Sequence, residues 1–345
     1  MFKDVNRDNF FYDLSGKISD QYYPNIHSLI ISKNGSLIFE QYFKGHDQNF
    51  GKDTGIVMHT SETLHDLRSI TKSFVSACIG IAIDKNLIKN TGQKISDFFP
   101  EYNFHGEKAL WNIYHFLTMT TGLKWDESLP YHDHENDEIK MTHSTDPVRF
   151  VLDKPLAGSP GHNFNYCGGA TQILAEIIER SSDLSIENFA NEYLFSPLGI
   201  NSFEWNKFSV WNGSHKTAAS SGLRLTSGSL MKFGMMYRNN GLYNGYQILT
   251  PEWIKESFTQ RMEFPSLVAE GHDGYGYQFW MWKDHITDRE INIVAAKGFG
   301  DQSIYWDLEN DLTVITTAGN YDKPDTKNNS YAILRNEIYP FLLDN

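Results

Sequence analysis

"LHDLRSITKSFVSACIGIAI", residues 64–83, sets Ser69 three residues ahead of Lys72 at the mouth of an apolar run. Phe74, Val75, Ala77, Cys78, Ile79, Ile81, Ala82 and Ile83 surround the helical axis nearly all round, which predicts a buried core helix over 71–86. A lysine in the first turn of such a helix is costly to bury without a role. A serine at its start has free backbone N–H groups and the positive end of the dipole around it, a setting that stabilises an oxyanion. Lys72 lies one turn on, on the same face. Partly desolvated, such an amine can lose its proton near neutral pH and accept the seryl proton. Spacing alone leaves a second reading open, a helix-capping serine beside a nearby charge. The same S-x-x-K pattern recurs at Ser229 and Lys232. There Leu230, Phe233 and Met236 or Tyr237 line one face and leave Lys232 on the solvated side, so that pair reads as scaffold.

Working outward, "HSLIISKNGSLIFEQYF" (27–43) is two β-branched, apolar segments around Asn34-Gly35, a favoured hairpin turn. Helical periods follow at 71–86, 107–119, 146–153, 168–182 and 185–195. Strand-like runs return at 275–282, 290–296, 302–308 and 312–319, before a last helix near 328–343. Strands at both ends with helices between predict an α/β (α+β) fold: one antiparallel sheet built from both termini, plus an inserted, mostly helical region. The expected division is a discontinuous sheet domain (1–90 and 210–345) and a mainly helical domain (91–209), with the active site at their interface.

The 345 residues are long enough to bury a substantial core, and 40% apolar with 21% charged residues describes an ordinary globular protein. A formal charge of -13 argues against nucleic-acid binding, which needs a basic face. No window reaches the length of a membrane span, and "MFKDVNRDNFFYDLSGK" lacks a secretory n-region and h-region. A cytoplasmic location is expected for the chain as written, periplasmic or secreted if a leader was removed. Cys78 and Cys167 have no metal-ligand spacing and read as buried thiols.

Beyond these local readings the chain resembles the serine beta-lactamase and penicillin-binding-protein superfamily, whose signature includes an S-x-x-K serine, a tyrosine or serine motif and a K-T-G-like motif. It is similar in particular to the class C-related branch with carboxylesterases, D-aminopeptidase-type peptidases and 6-aminohexanoate-dimer hydrolases. The resemblance spans roughly 24–340. It is carried by "HDLRSITKSF", "LTMTTGL" (117–123), "PGHNFNYCGGATQILAEIIE" (160–179), "PLGI" (197–200), "SGLRLTSGSLMKFG" (221–234) and "AAKGFGDQSIYWDLENDLTVITTAGN" (295–320).

The resemblance implies that Ser69 is the nucleophile, that Lys72 and Tyr166 deprotonate it, and that Tyr166 passes the proton toward the leaving group. The family's second motif is Y-x-N. Here "YCG" supplies Tyr166 and puts Gly168 at the asparagine's place, which fits esterase and linear-amide members better than beta-lactam hydrolysis. In "KGFG" the backbone N–H of Phe299, after Gly298, is implied as the second oxyanion donor beside that of Ser69. Lys297 reads either as an anchor for a substrate carboxylate or as an ordinary strand-end charge. "YHDHENDE" (131–138) offers His132 and His134, but no third ligand has a fixed spacing, so a solvated acidic loop is expected rather than a metal site. If that loop overhangs the site, its carboxylates would favour substrates carrying an ammonium group.

The expected function is a serine hydrolase that cleaves an ester or linear amide bond through an acyl-enzyme, with a small-molecule substrate and no cofactor. The alternatives are a penicillin-binding or sensor-type domain that acylates without turnover, and a beta-lactamase or D-peptidase.

Overall fold

A computed structural model describes residues 2–209, 215–264, 274–286, 288–323 and 328–343, with backbone alone for residues 2–6. Eight strands form one sheet in the order Met262–Glu263, Gly274–Tyr275, Trp280–Ile286, Arg289–Gly298, Gln302–Asp307, Leu312–Ala318, Ile26–Lys33, Ser36–Tyr42. Every neighbouring pair is antiparallel, and the N-terminal hairpin joins the C-terminal meander through Ile26–Lys33 against Leu312–Ala318. Asn34 and Gly35 both have positive φ, 51° and 73°, the backbone that a tight two-residue hairpin demands. The expected sheet from both chain ends is therefore present.

Gln302–Asp307 and Leu312–Ala318 are buried along their whole length, because the sheet is covered on both faces. Ala296, Ile304, Trp306 and Ile315 pack into one core with Phe74, Val75 and Cys78 of the helix Ile70–Asp84. Alternate residues, Ala295, Tyr305 and Val314, pack on the other face with Phe11, Leu14 and Ile18 of the helix Phe2–Ser19 and with Tyr331 and Leu334 near the C-terminus. That N-terminal helix was not expected from the sequence. Among the described residues no helix is long and apolar enough to cross a membrane.

Two segments differ from expectation in ways that position the site. The run 275–282 is not one strand: Gln278 adopts φ +67° and breaks it. The buried Gln278 amide donates to the Phe116 and Leu117 carbonyls, each at 3.0 Å, and accepts from Thr171 at 2.9 Å. Its carbonyl accepts from Ser73 at 2.8 Å, so one residue ties the Ile70–Asp84 and Gly168–Ser182 helices to the sheet edge. The expected helix over 107–119 is likewise two short turns, Gly106–Leu110 and Ile113–Leu117, because Asn112 is extended and caps the second.

Candidate active site

Ser69 stands at the N-cap of Ile70–Asp84, yet its side chain makes no capping hydrogen bond. Lys72 Nζ donates to Ser69 Oγ at 3.0 Å and to the Ser220 carbonyl at 3.0 Å. Lys72 is 1% exposed, in a helix whose residues 70–82 are all buried. The lysine is thus aimed at the serine and not at solvent. Arg68, just before, adopts φ +50°, a conformation that non-glycine residues rarely hold and that presents Ser69 at the turn into the helix.

The Tyr166 ring lies beside Ser69, 4.9 Å from Lys72 Nζ, and stacks on Trp280 at 5.5 Å. Burial above all pushes its phenol well above the ordinary tyrosine range, the negative charge of the neighbouring Glu127–Glu138 carboxyl pair adds to that, and Ser69 pulls the other way. Tyr166 is a neutral phenol that can relay a proton and is not a standing phenolate.

Two carboxyl groups lie beside it that no motif singles out. Glu138 is 3% exposed and accepts from Ser220 Oγ at 2.6 Å and Ser221 Oγ at 3.0 Å. Glu127 accepts from the Gly168 N–H at 2.7 Å, Trp125 Nε1 at 2.8 Å and the Tyr131 hydroxyl at 3.2 Å. A Cβ on Gly168 would meet Glu138 Cδ at 3.0 Å and Glu127 Oε2 at 3.2 Å. The carboxyl groups therefore fill the space beside position 168. Burial, then the Glu138 charge, raises Glu127 well above the carboxylate range. Glu138 is held below it by the charge of Lys72 and by the Glu127 hydrogen bond, which together outweigh its burial. Two carboxyls in contact cannot both ionise cheaply, so the pair keeps one proton, on Glu127, and one charge, on Glu138, toward Lys72.

Ser69, Arg68, Tyr131, His132, Glu138, Ser221 and Phe299 line a cleft of about 690 Å³. Gly298 ends the strand Arg289–Gly298, and a Cβ there would lie 2.2 Å from the Leu67 carbonyl oxygen. Only glycine lets that strand end approach the backbone leading into Ser69 so closely. Lys297 is placed elsewhere. It alternates with Ala295 and Ile293 on the far face, reaching Asn328 Oδ1 at 3.1 Å and the Trp282 ring at 5.8 Å. The substrate-anchor alternative is not carried forward, because the pleat turns this side chain away from the cleft.

The loop 131–138 does overhang the cleft, but it is not wholly solvated. His132 and His134 are exposed, whereas Asn136, Asp137 and Glu138 are buried. The inward-turned Glu138 is engaged by Ser220, Ser221 and the charge of Lys72, and Asp137 pairs with Lys154 at 2.5 Å. Of the loop's carboxylates, Asp137 and Glu138 are therefore committed to partners within the protein. At the second S-x-x-K, Lys232 Nζ donates to the Gly199 carbonyl at 2.5 Å, and Ser229 Oγ sits 2.9 Å from Thr226 Oγ1 at a helix start. Ser229 is buried, but with its cap and not with its lysine. Cys78 and Cys167 are free, buried thiols.

The arrangement has relatives. A 6-aminohexanoate-dimer hydrolase from Paenarthrobacter ureafaciens is 23% identical over 291 residues, 76% of this chain and 68% of its own. EstCE1, described as a hydrolase with promiscuous acyltransferase activity, has a TM-score of 0.74 at 15% identity, covering 98% of this chain and 100% of its own. An octameric penicillin-binding protein homologue from Pyrococcus abyssi has a TM-score of 0.69 at 19% identity, covering 97% and 76%. At such identities the structural likeness shows the fold alone. The sequence pattern of the beta-lactamase family matches residues 27–336, nearly the whole chain, and to that hydrolase-type family the protein belongs.

Proposed function

We propose that the chain is a serine hydrolase that cleaves ester or linear amide bonds through an acyl-enzyme on Ser69. The observation that carries this reading is the buried Lys72 amine 3.0 Å from Ser69 Oγ, with the Tyr166 ring 4.9 Å from the same Nζ. Lys72, as the free amine, takes the seryl proton as Oγ attacks the carbonyl carbon, and returns it to Tyr166 once the phenol has given up its own. Tyr166, a neutral phenol, hands a proton to the departing amine or alkoxide. The N–H groups of Ser69 and Phe299 are the proposed oxyanion donors, each worth about 2.7–4 kcal/mol in the transition state. Water then cleaves the ester to Ser69. In this reading the cleft lies between the sheet domain (1–90 and 210–345) and the mainly helical domain (91–209).

Gly168 supports linear substrates over beta-lactams. It offers no amide, and the space beside it is taken by Glu127 and Glu138. The relatives' descriptions as dimer hydrolase and hydrolase agree with turnover rather than with a sensor that stops after acylation. The test is one preparation assayed on a p-nitrophenyl ester, nitrocefin and a linear aminohexanoate amide, with intact mass measured after a fluorophosphonate probe. Sustained ester turnover and a single adduct on the Ser69 peptide are expected. A burst ending at one equivalent would establish the sensor instead, and an adduct elsewhere would remove Ser69 from the mechanism.

A further inference from the structure

Away from the cleft, four buried side chains from four segments converge. They are His27 of the strand Ile26–Lys33, Asp47 of Lys44–Asn49, His59 just after Lys52–Met58, and His65 of His65–Asp66, with exposures of 0%, 4%, 7% and 1%. One potential ligand atom from each lies within 4.8 Å of all the others.

Outer contacts set the tautomers. His59 Nδ1 faces the Phe43 carbonyl at 2.9 Å, and His65 Nδ1 faces the Asp66 carbonyl at 3.1 Å. His27 Nε2 faces Asn25 Oδ1 at 3.4 Å, and that amide is oriented because its Nδ2 donates to the His46 carbonyl at 2.9 Å while its Oδ1 accepts the His46 N–H at 2.7 Å. None of these oxygens can donate, so each of the three ring nitrogens carries the proton. The lone pairs are left on His27 Nδ1, His59 Nε2 and His65 Nε2, and all three turn inward toward Asp47. His27 Nδ1 and His65 Nε2 then meet lone pair to lone pair at 2.8 Å. A cation between them would relieve that contact and satisfy all three lone pairs at once.

We infer that His27, Asp47, His59 and His65 form a four-coordinate site for a divalent transition-metal ion, with zinc the best match. Three neutral imidazoles and one carboxylate are a zinc donor set, and four protein ligands with no open position are the mark of a structural site. A tetrahedral zinc with bonds near 2.05 Å spaces its ligand atoms about 3.4 Å apart. The inward contacts straddle that value, at 2.8 Å for His27–His65, 3.2 Å for His59–Asp47, 3.5 Å for His65–Asp47 and 3.9 Å for His27–Asp47. The backbone is shaped to the cluster, since a Cβ on Gly45 would strike the His27 ring at 2.5 Å and one on Gly319 would meet it at 2.7 Å. The ion would join the sheet to the strand four residues ahead of Ser69 and to the Lys44–Met58 hairpin, whose Gln48, Phe50 and Gly51 line the cleft. It would act by holding a wall, not by touching substrate.

The experiment is elemental analysis of the full-length protein after incubation with zinc chloride and desalting, with cobalt chloride in a parallel sample. About one equivalent of zinc per chain is expected, together with the strong visible absorption of tetrahedral cobalt and a fall in melting temperature on chelation. His59→Ala and Asp47→Asn should lose the metal and the cobalt spectrum, while the His132→Ala/His134→Ala double variant keeps both. Should the ligand variants fail to fold, the parent's stoichiometry and cobalt spectrum still decide. A parent that retains no zinc and gives no cobalt spectrum would overturn the assignment, as would metal retained by folded His59→Ala and Asp47→Asn. Ser69→Ala should bind zinc like the parent, which separates this inference from the hydrolase reading.

Discussion

Gly168 stands where the resemblance implies an asparagine, and replacing it tests what occupies the missing amide's place. A methyl there would lie 3.0 Å from Glu138 Cδ, 3.1 Å from Glu138 Oε2 and 3.2 Å from Glu127 Oε2. Ordinary carbon contacts begin near 3.5 Å, so the carboxyls must withdraw by about 0.5 Å. They are not free to do so. Glu138 is tied at 2.6 Å to Ser220, and Glu127 at 2.7 Å to the Gly168 N–H and 2.8 Å to Trp125. Overpacking of this kind costs about 1–3 kcal/mol, and weakening one hydrogen bond to a charged group adds up to about 1.5 kcal/mol. Exchanging glycine for alanine in a helix returns at most about 1 kcal/mol, and less at a helix's first residue. Gly168→Ala should therefore destabilise by about 1–2 kcal/mol. In a Glu138→Ala background the two nearest of these atoms are gone and only Glu127 Oε2, at 3.2 Å, remains, so the same change should cost little. The assay is urea unfolding of the four proteins of this double-mutant cycle. A coupling of about 1–2 kcal/mol is expected, whereas additivity within about 0.5 kcal/mol would show that the carboxyls do not fill the space. Gly168→Asn should lose ester activity without gaining nitrocefin hydrolysis, and a gain at unchanged stability would likewise refute the reasoning.

Ser69→Ala should abolish p-nitrophenyl ester hydrolysis, while Ser229→Ala keeps kcat/KM within about two-fold and costs about 0.5–1.5 kcal/mol of stability through its cap contact; both are read by ester assay and urea midpoint. Tyr166→Phe should lower kcat/KM roughly 100- to 10,000-fold on a linear amide and less on an activated ester, whose leaving group needs no proton; equal losses would place Tyr166 on the serine alone. Burial pushes the Asp301 carboxyl up to about 6 from an ordinary 3.8, against the Ser330 hydrogen bonds that pull it down. A raised folded value means the folded state holds the proton more tightly, so this contribution is full below about 3.8 and is lost as pH rises through about 6, some 3 kcal/mol in all. Stability measured against pH should thus be flatter for Asp301→Asn than for the parent across that window, and parallel curves would contradict it.

The amino-acid order settles what neighbouring residues decide. Three residues on a helix put Ser69 and Lys72 on one face, and an apolar surround marks the helix as buried, so this pair was legible before any coordinates. Asn34-Gly35 specified its hairpin, and strand patterns at both ends announced a sheet built from the two termini. The rest depends on segments brought together from far apart. Glu138 comes beside Gly168 from the run 131–138 that composition marks as a solvated loop, and Glu127 from just ahead of it, because polar residues read alike whether they face water or a buried lysine. Lys297 shares a strand end with Gly298 but falls on the opposite face, a choice made by pleat register, in which a single residue's step reverses direction. His27, Asp47, His59 and His65 have no ligand spacing in sequence, since the Lys44–Met58 hairpin and the strand Ile26–Lys33 supply their convergence. Helical and strand periods record which way each side chain points along its own element, while the partner across the gap is chosen by how the elements pack.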